Sequence, residues 1–337
     1  MAPTGEVDKV DPAELAALPS PYPRAPSGSD DFEWLSRKID YLRSIAGPAK
    51  SARPEVVYEA GAWAVLKLVT LLHVHDIYLR IMVNQRRVGN WTKLYYIDLN
   101  SATGLVRVEG TKTVVAGSAL VGADTWRRGE AHSYDHFIYV EPNHEWADAL
   151  RVRLAKWLPL DRFTVYEEGA DTAVPKIVEV LGTAESHYLA VFDPYAFQEG
   201  TWSSYGRLLE STRRGDMVLT FQTTMVKRAT PEIISRFFGP HVPEYRDLSE
   251  ERILALFRDH LKPYREVVEN VTVRAGGGHG RYYYDLVYAV AKTRRENPFM
   301  RGVLDVKSRI ERVDGDQIDK MVGYRTLDRW DAGPGHS

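Results

Sequence analysis

The 337-residue sequence contains no cysteine. This absence excludes disulfide bonds, thiolate zinc sites, iron–sulfur clusters and a thiol nucleophile, so any metal site would need histidine and carboxylate ligands. The sequence also lacks an excess of either charge, because its 44 Lys and Arg residues nearly balance its 46 Asp and Glu residues, which gives a formal net charge of −2. This balance excludes a uniformly basic protein of the histone or ribosomal kind, but it allows a local basic groove.

Long apolar runs and targeting signals are missing as well. No stretch approaches the roughly 20 consecutive apolar residues of a membrane span. The N-terminal stretch carries acidic residues where a signal peptide has a basic region, and it lacks a long apolar core. We therefore expect a soluble, cytoplasmic protein with no membrane partner.

Composition divides the chain into three parts. Residues 1–30 hold six of the 18 prolines, from Pro3 to Pro26, and bury too little apolar surface to order themselves. We expect a disordered or extended Pro-rich arm there. An N-terminal helical layer is expected over residues 31–92. The remainder, residues 93–330, is predicted to be one α/β domain with a helical insertion at about 230–266.

Two helices are predicted in the N-terminal layer. The first begins at a cap formed by Asp30 or Asp31, has apolar residues at helical spacing, and ends at Gly47-Pro48. The second is expected to run from about Pro54 to Val83.

The α/β domain alternates short apolar runs with helical stretches. Five runs are predicted strands: Lys93–Leu99, His136–Val140, Phe163–Tyr166, Tyr188–Phe192 and Met217–Phe221. Nearly continuous apolar strands joined by helical crossovers indicate a parallel sheet that is covered on both faces.

The end of the domain departs from this alternation. Val271–Arg274 and Tyr282–Val290 are joined only by a glycine-rich hexapeptide, Ala275–Gly280. A connection this short permits an antiparallel hairpin and forbids a parallel crossover. Parallel strands followed by such a hairpin predict a Rossmann-like methyltransferase sheet flanked by helices.

Acidic and small residues follow the first three predicted strands. Ligands of a doubly wound sheet bind beyond the carboxyl ends of its strands. After the first strand, Asp98 could accept hydrogen bonds from a charged amine, and the turn from Asn100 to Gly104 would let backbone approach a ligand. Glu141, after the second strand, could hold the two hydroxyls of a ribose, and Asp171 follows the third strand near an adenine position. Each residue alone could equally be a solvated loop residue.

The fourth strand is followed by Asp193-Pro194-Tyr195. This tripeptide resembles the Asp-Pro-Pro-Tyr/Phe signature of methyltransferases that act on exocyclic amino groups. There, the acidic or amide side chain and the proline carbonyl accept hydrogen bonds from the target NH2, and the aromatic ring stacks on a flipped base. A plain strand-ending turn remains the alternative, because Asp-Pro is common at such positions.

Together these landmarks resemble the three-Cys-motif partner protein (TcmP) family, a methyltransferase-like group, over about residues 93 to 303. The matching segments are Tyr96–Leu99 with Gly104, Ala116–Leu120, Phe137–Glu141, Phe192–Tyr195 with Trp202, Gly215–Leu219 and Tyr282–Ala291. The resemblance implies a Rossmann-like fold and S-adenosylmethionine as cofactor. It also implies cofactor contacts by Gly117 and Ser118, and a radical-SAM-like protein as partner.

The sequence departs from the family at one turn. The family has Phe-Ala-Gly where this chain has Asn100-Ser101-Ala102. The added Cβ of Ala102 is expected to crowd the methionyl part of the cofactor.

Three hypotheses of function follow, and none involves a metal. The first is an S-adenosylmethionine-dependent transfer of methyl to an amino nitrogen of a nucleic acid, with Asp193, Pro194 and Tyr195 presenting the acceptor. The alternative is a catalytically inactive binding or scaffold protein of the same fold that works with a partner. A third is nucleic-acid binding without chemistry. No metal site is expected at His73 and His75, because side chains two positions apart point to different sides of a helix.

Overall fold

The computed structural model describes residues 30–87, 89, 91–182, 186–212, 214–239, 245, 247–275, 282–291, 298–313 and 315–323. The arm predicted for residues 1–30, apart from Asp30, and the hairpin connection at 276–280 lie outside the described residues.

The helices of the described chain are α1 (Asp31–Ala49), α2 (Trp63–Arg87), α3 (Ser118–Arg128), α4 (His144–Leu154), α5 (Ala170–Gly182), α6 (Arg207–Ser211), α7 (Thr223–Arg228), α8 (Pro231–Phe238), α9 (Glu250–Leu261), α10 (Pro298–Ile310) and α11 (Gly315–Val322). The strands are β1 (Tyr58–Ala60), β2 (Lys93–Asp98), β3 (Leu105–Val108), β4 (Val114–Ala116), β5 (His136–Val140), β6 (Phe163–Tyr166), β7 (Ser186–Phe192), β8 (Asp216–Phe221), β9 (Val267–Ala275) and β10 (Tyr282–Val290). None of these described helices is both long and apolar enough to cross a membrane.

Seven strands form the central sheet in the order β6-β5-β2-β7-β8-β10-β9. The first five of these strands are parallel to one another. Strand β10 is antiparallel to both of its neighbours, β8 and β9. This arrangement confirms the predicted fold class, a parallel Rossmann-like sheet closed by an antiparallel hairpin. The strand order reverses direction between β2 and β7, which makes their carboxyl ends the switch point of the sheet.

The sheet is buried on both faces because alternate strand residues point to opposite sides. On β2, Leu94 and Tyr96 pack into one core, which also contains side chains of α1, α2, α3 and α10. Tyr95 and Ile97 pack into the second core, with α5, α8 and α9. This double burial explains why the strands are nearly continuous apolar runs.

The N-terminal layer differs from its prediction in one element. Asp30 caps α1 as expected, accepting a hydrogen bond from the Glu33 amide at 2.7 Å. The helix continues through Gly47-Pro48 to Ala49. The second helix was predicted to begin near Pro54, which is wrong, because α2 begins at Trp63.

The residues before α2 instead form β1, an edge of a second, three-stranded sheet ordered β1-β3-β4. Strand β1 pairs in parallel with β3, matching Tyr58 with Val106. The Tyr58 amide also donates to Thr103 Oγ1 at 3.3 Å. This small sheet joins the N-terminal layer to the segment that follows β2.

Arg153 of α4 forms hydrogen bonds to both the segment before β1 and the turn after β2. Its buried guanidinium donates to the carbonyl of Thr103 at 2.6 Å, and to three carbonyls of the segment before β1. These are Ala52 at 3.1 Å, Arg53 at 2.8 Å and Val56 at 2.6 Å. Burial lowers the pKa of Arg153 to about 10, so the group stays charged at neutral pH. The five N–H donors of a guanidinium suit such a set of carbonyl acceptors.

Replacing Arg153 by methionine is expected to lower the free energy of unfolding by about 3 kcal/mol or more, because buried carbonyls lose their donors. Urea unfolding measures the change. Arg151→Met on the same helix is the matched control, since its partly exposed ion pair with Glu167 contributes less than about 1 kcal/mol. Equal losses in the two variants would contradict the structural role of Arg153.

Candidate functional site

A pocket opens at the switch point, between the carboxyl ends of β2 and β7. Its volume is about 720 Å³, including space that is continuous with solvent. One wall comes from the turn after β2 and from Gly117-Ser118 at the start of α3, and another from Asp193-Pro194-Tyr195 after β7. The N-terminal layer supplies the third wall, with residues of β1 and α2 that include Tyr58, Trp63 and Lys67.

Backbone geometry shapes the turn after β2. Gly104 has φ +77° and Ala102 has φ +49°, so an alanine adopts a conformation that favours glycine. The Gly117 amide donates to the Gly104 carbonyl at 2.8 Å, and a Cβ on Gly117 would lie 3.1 Å from that oxygen. The turn therefore keeps the shape of a glycine-rich loop although one of its glycine-like positions carries a Cβ.

Asp98 lies beneath this turn and does not line the pocket. Its carboxylate is fully buried and accepts hydrogen bonds from the Tyr96 hydroxyl and the Asn100 amide, both at 3.3 Å. Burial raises the pKa of Asp98 to about 6, although a hydrogen bond from Ser118 opposes the shift. At neutral pH the Asp98 carboxylate is therefore mostly ionised, and it carries its negative charge next to Asn100 of the pocket wall.

Asn100 lines the pocket and carries an acceptor without a partner. Within the described part of the chain, its buried Oδ1 atom makes no hydrogen bond. A buried acceptor of this kind costs free energy unless a ligand or water donates to it.

Asp193 pairs with a residue that the sequence reasoning missed. Its carboxylate accepts a hydrogen bond from Lys67 Nζ of α2. Both side chains are largely buried, with 17% of Lys67 and 21% of Asp193 exposed. The available signal was composition, because Lys67 is the single charged residue between Trp63 and Leu72 of an apolar helix.

Tyr195, in the loop after β7, covers Glu141, the acid that follows β5. Its hydroxyl donates to Glu141 Oε2 at 2.5 Å, and the Asn143 amide donates to Glu141 Oε1 at 2.8 Å. Burial raises the pKa of Glu141. The Tyr195 ring also packs against Tyr58 and Trp146, with centroids 5.4 and 5.5 Å away. Glu141 is therefore hidden from the pocket by an aromatic cluster of Tyr58, Trp146 and Tyr195.

The predicted site residues thus fall into three groups. Seven line one pocket: Asn100, Gly104, Gly117, Ser118, Asp193, Pro194 and Tyr195. Asp98 and Glu141 are buried behind its walls. Asp171 does not line it, and is an exposed residue in the first turn of α5 that accepts a hydrogen bond from Thr201 Oγ1.

The histidines of α2 are part of the packed interior. His75 is buried, and its Nδ1 atom lies 2.7 Å from the Tyr134 hydroxyl. Over the described ranges, no three His, Asp or Glu side chains are grouped as metal ligands would be.

The sequence matches no protein-family model and no curated protein. Solved structures with a similar arrangement include an rRNA methylase from Streptococcus thermophilus (8% identity, 59% of this chain and 88% of that chain, TM-score 0.32). An O-methyltransferase of tomaymycin synthesis from Streptomyces achromogenes, in complex with SAM, shares 11% identity over 75% and 99% of the chains, with a TM-score of 0.33. A precorrin-8w decarboxylase from Methanobacterium thermoautotrophicum shares 13% identity over 58% and 81%, with a TM-score of 0.30. The fold assignment for this chain rests on its own strand order.

Ala102→Gly is expected to raise the free energy of unfolding by up to about 1 kcal/mol, because glycine adopts a positive φ without steric cost. Ala155→Gly is the matched control. Ala155 has φ −61° at the exposed C-cap of α4, where glycine relieves no strain, so this substitution should not raise the free energy of unfolding. Denaturant titration measures both variants, and a loss of stability in Ala102→Gly would contradict the strain.

Asp98→Asn is expected to alter how stability depends on pH. Because the native pKa of Asp98 is about 6 and the unfolded value is about 3.9, the native state holds this proton more tightly, and stability falls as pH rises through that interval. The asparagine variant should therefore gain about 2 kcal/mol relative to wild type between pH 4 and pH 7. Thermal unfolding across this range measures the difference, and a constant offset would show that Asp98 does not titrate there.

Proposed function

We propose that the protein is an S-adenosylmethionine-dependent methyltransferase that acts on an amino nitrogen of a nucleic acid. The observation that carries this proposal is the pocket at the switch point, which the turn after β2 and Asp193-Pro194-Tyr195 line together. In doubly wound sheets this crevice is the usual ligand site. The cofactor would supply a methyl group on a sulfonium, which an amine can accept.

The residues of the first wall suit a cationic, amine-bearing ligand. Asn100 Oδ1 offers a buried acceptor without a partner in the described chain, and Asp98 places negative charge behind it. A Cβ on Gly104 would meet Leu150 and Leu120, and one on Gly117 would meet the Gly104 backbone, so both glycines let the turn after β2 approach the start of α3 closely. These features support binding of the methionyl end of the cofactor at this wall.

The ribose end requires one rearrangement. Glu141 would accept the ribose hydroxyls, but the Tyr195 hydroxyl occupies one of its oxygen atoms. Tyr195 therefore has to move from Glu141 before a nucleoside binds there.

The second wall suits an amine acceptor. The Asp193 carboxylate and the Pro194 carbonyl can accept hydrogen bonds from an NH2 group and thereby direct its lone pair. That Asp193 already accepts a hydrogen bond from an ammonium supports an N–H donor at this point. The partly exposed rings of Tyr58 and Tyr195 line the pocket and offer stacking surfaces for a base, which favours a nucleic-acid acceptor. Catalysis would come mainly from orientation and proximity.

A second candidate is a catalytically inactive binding protein of the same fold. The hydrogen bond between Tyr195 and Glu141 and the Cβ of Ala102 favour it, since both reduce space for a cofactor. The resemblance to the TcmP family would then make a radical-SAM-like protein the partner. This family assignment, the partner and a cytoplasmic location stay predictions.

Calorimetric titration of the full chain with S-adenosylmethionine and S-adenosylhomocysteine tests the proposal. We expect both to bind, and Glu141→Gln to weaken binding at least about tenfold through loss of charge-assisted hydrogen bonds. Tyr195→Phe should tighten binding several-fold, because its hydroxyl no longer competes for Glu141. Tyr95→Phe, in the second core and outside the pocket, should leave the affinity unchanged.

Transfer of labelled methyl to single-stranded oligonucleotides tests the acceptor. Asp193→Ala should abolish transfer, and oligonucleotides without exocyclic amino groups should accept none. If a chain that is folded by circular dichroism binds neither cofactor form, the enzyme proposal is wrong and the inactive binding protein is favoured.

A further inference from the structure

Lys67 occupies an unusual position for a charged side chain. It lies on an apolar stretch of α2, where Leu66 and Leu68 are buried, and it reaches into the pocket. Burying most of an ammonium is unfavourable unless a partner compensates it. Asp193 is that partner, and it belongs to the motif that would present the acceptor. Of the described residues that line the pocket, Lys67 is the single cation.

The contact between Lys67 and Asp193 places an amine where the acceptor amine would be. In the proposed reaction, Asp193 accepts a hydrogen bond from the nitrogen that receives the methyl group. Lys67 Nζ already makes this hydrogen bond. Resting on the proposed function, we propose that Lys67 is itself a methyl acceptor, so that the protein methylates its own side chain inside the pocket.

With the cofactor bound, the lone pair of Lys67 Nζ would form a bond to the methyl carbon, the bond from that carbon to the sulfonium sulfur would break, and its electrons would remain on sulfur. The amine has to lose a proton before it attacks. The hydrogen-bonded Asp193 carboxylate would take this proton before the bond to carbon forms.

Other described lysines are placed differently. Lys176 pairs with Glu168 and is half exposed, and Lys262 pairs with Asp259 at the surface. Lys307 donates to the Asn270 carbonyl. None of them lines the pocket, so methylation should be confined to Lys67.

Methylation would also change the pocket. A methylated lysine keeps its charge, but each added methyl removes one N–H donor. A fully methylated Lys67 can no longer donate to Asp193, and this would release the carboxylate for an external amine.

Peptide mass spectrometry after incubation of the purified full chain with S-adenosylmethionine tests the inference. We expect mass increments of one or more methyl groups on the peptide that contains Lys67, and none on the peptide that contains Lys176. Lys67→Arg removes the acceptor and retains the charge, so its peptide should gain none. Asp193→Asn should slow the modification of Lys67 at least about tenfold, because the proton acceptor is lost.

A binding measurement that needs no turnover tests the same geometry. The sulfonium form of the cofactor is repelled by a neighbouring ammonium, whereas the thioether form, S-adenosylhomocysteine, is not. Lys67→Gln should therefore improve the affinity for S-adenosylmethionine relative to S-adenosylhomocysteine by about tenfold. Lys67→Arg, which keeps the charge, should leave this ratio close to that of wild type.

The outcomes separate the two proposals. If the cofactor binds but the Lys67 peptide gains no methyl mass, the inference is wrong and the proposed function stands. An unchanged affinity ratio in Lys67→Gln would also overturn it, because Nζ would then lie far from the sulfonium. If neither cofactor form binds to the folded chain, the proposed function fails, and self-methylation fails with it.

Discussion

The site depends on one buried cation, Arg153. Its guanidinium joins the segment before β1 to the Thr103 carbonyl in the turn after β2. This group adds to the apolar packing of α1 and α2 on the sheet, and the N-terminal layer supplies Tyr58 and Lys67 of the pocket. The pocket at the switch point contains the Lys67 ammonium and the rings of Tyr58 and Tyr195.

The sheet could be predicted from the sequence because its signals are local. Each central strand is a short apolar run, and the brief connection before β10 requires an antiparallel pair. The small sheet could not be predicted in this way. Tyr58 pairs with Val106, far along the chain, and the run Val56-Val57-Tyr58 is too short to distinguish an edge strand from part of a longer helix. The role of Arg153 could not be predicted for a related reason. Its partners are backbone carbonyls, which every type of residue has, so the sequence does not identify them.

The candidate site was predictable in position but not in contacts. Residues after β2 and β7 meet because parallel strands end at the same edge of the sheet. The side chains that neutralise or cover the acids come from elsewhere: Lys67 from α2 pairs with Asp193, and Tyr195 from the loop after β7 covers Glu141. Strand position therefore indicates which acids are near a ligand. Only the packing shows which of them a ligand can reach.

The place of β10 in the sheet has a consequence for how the protein is made. This strand lies between β8 and β9, and its Tyr284 hydroxyl donates to the Trp63 carbonyl at 2.9 Å. Tyr284 also lines the pocket. A ribosome therefore has to synthesise most of the chain before the pocket can close, although its first wall residues emerge early. Nascent chains that stop short of β10 would expose the edge of β8 and lack Tyr284, so addition of the final hairpin is the step that completes the pocket.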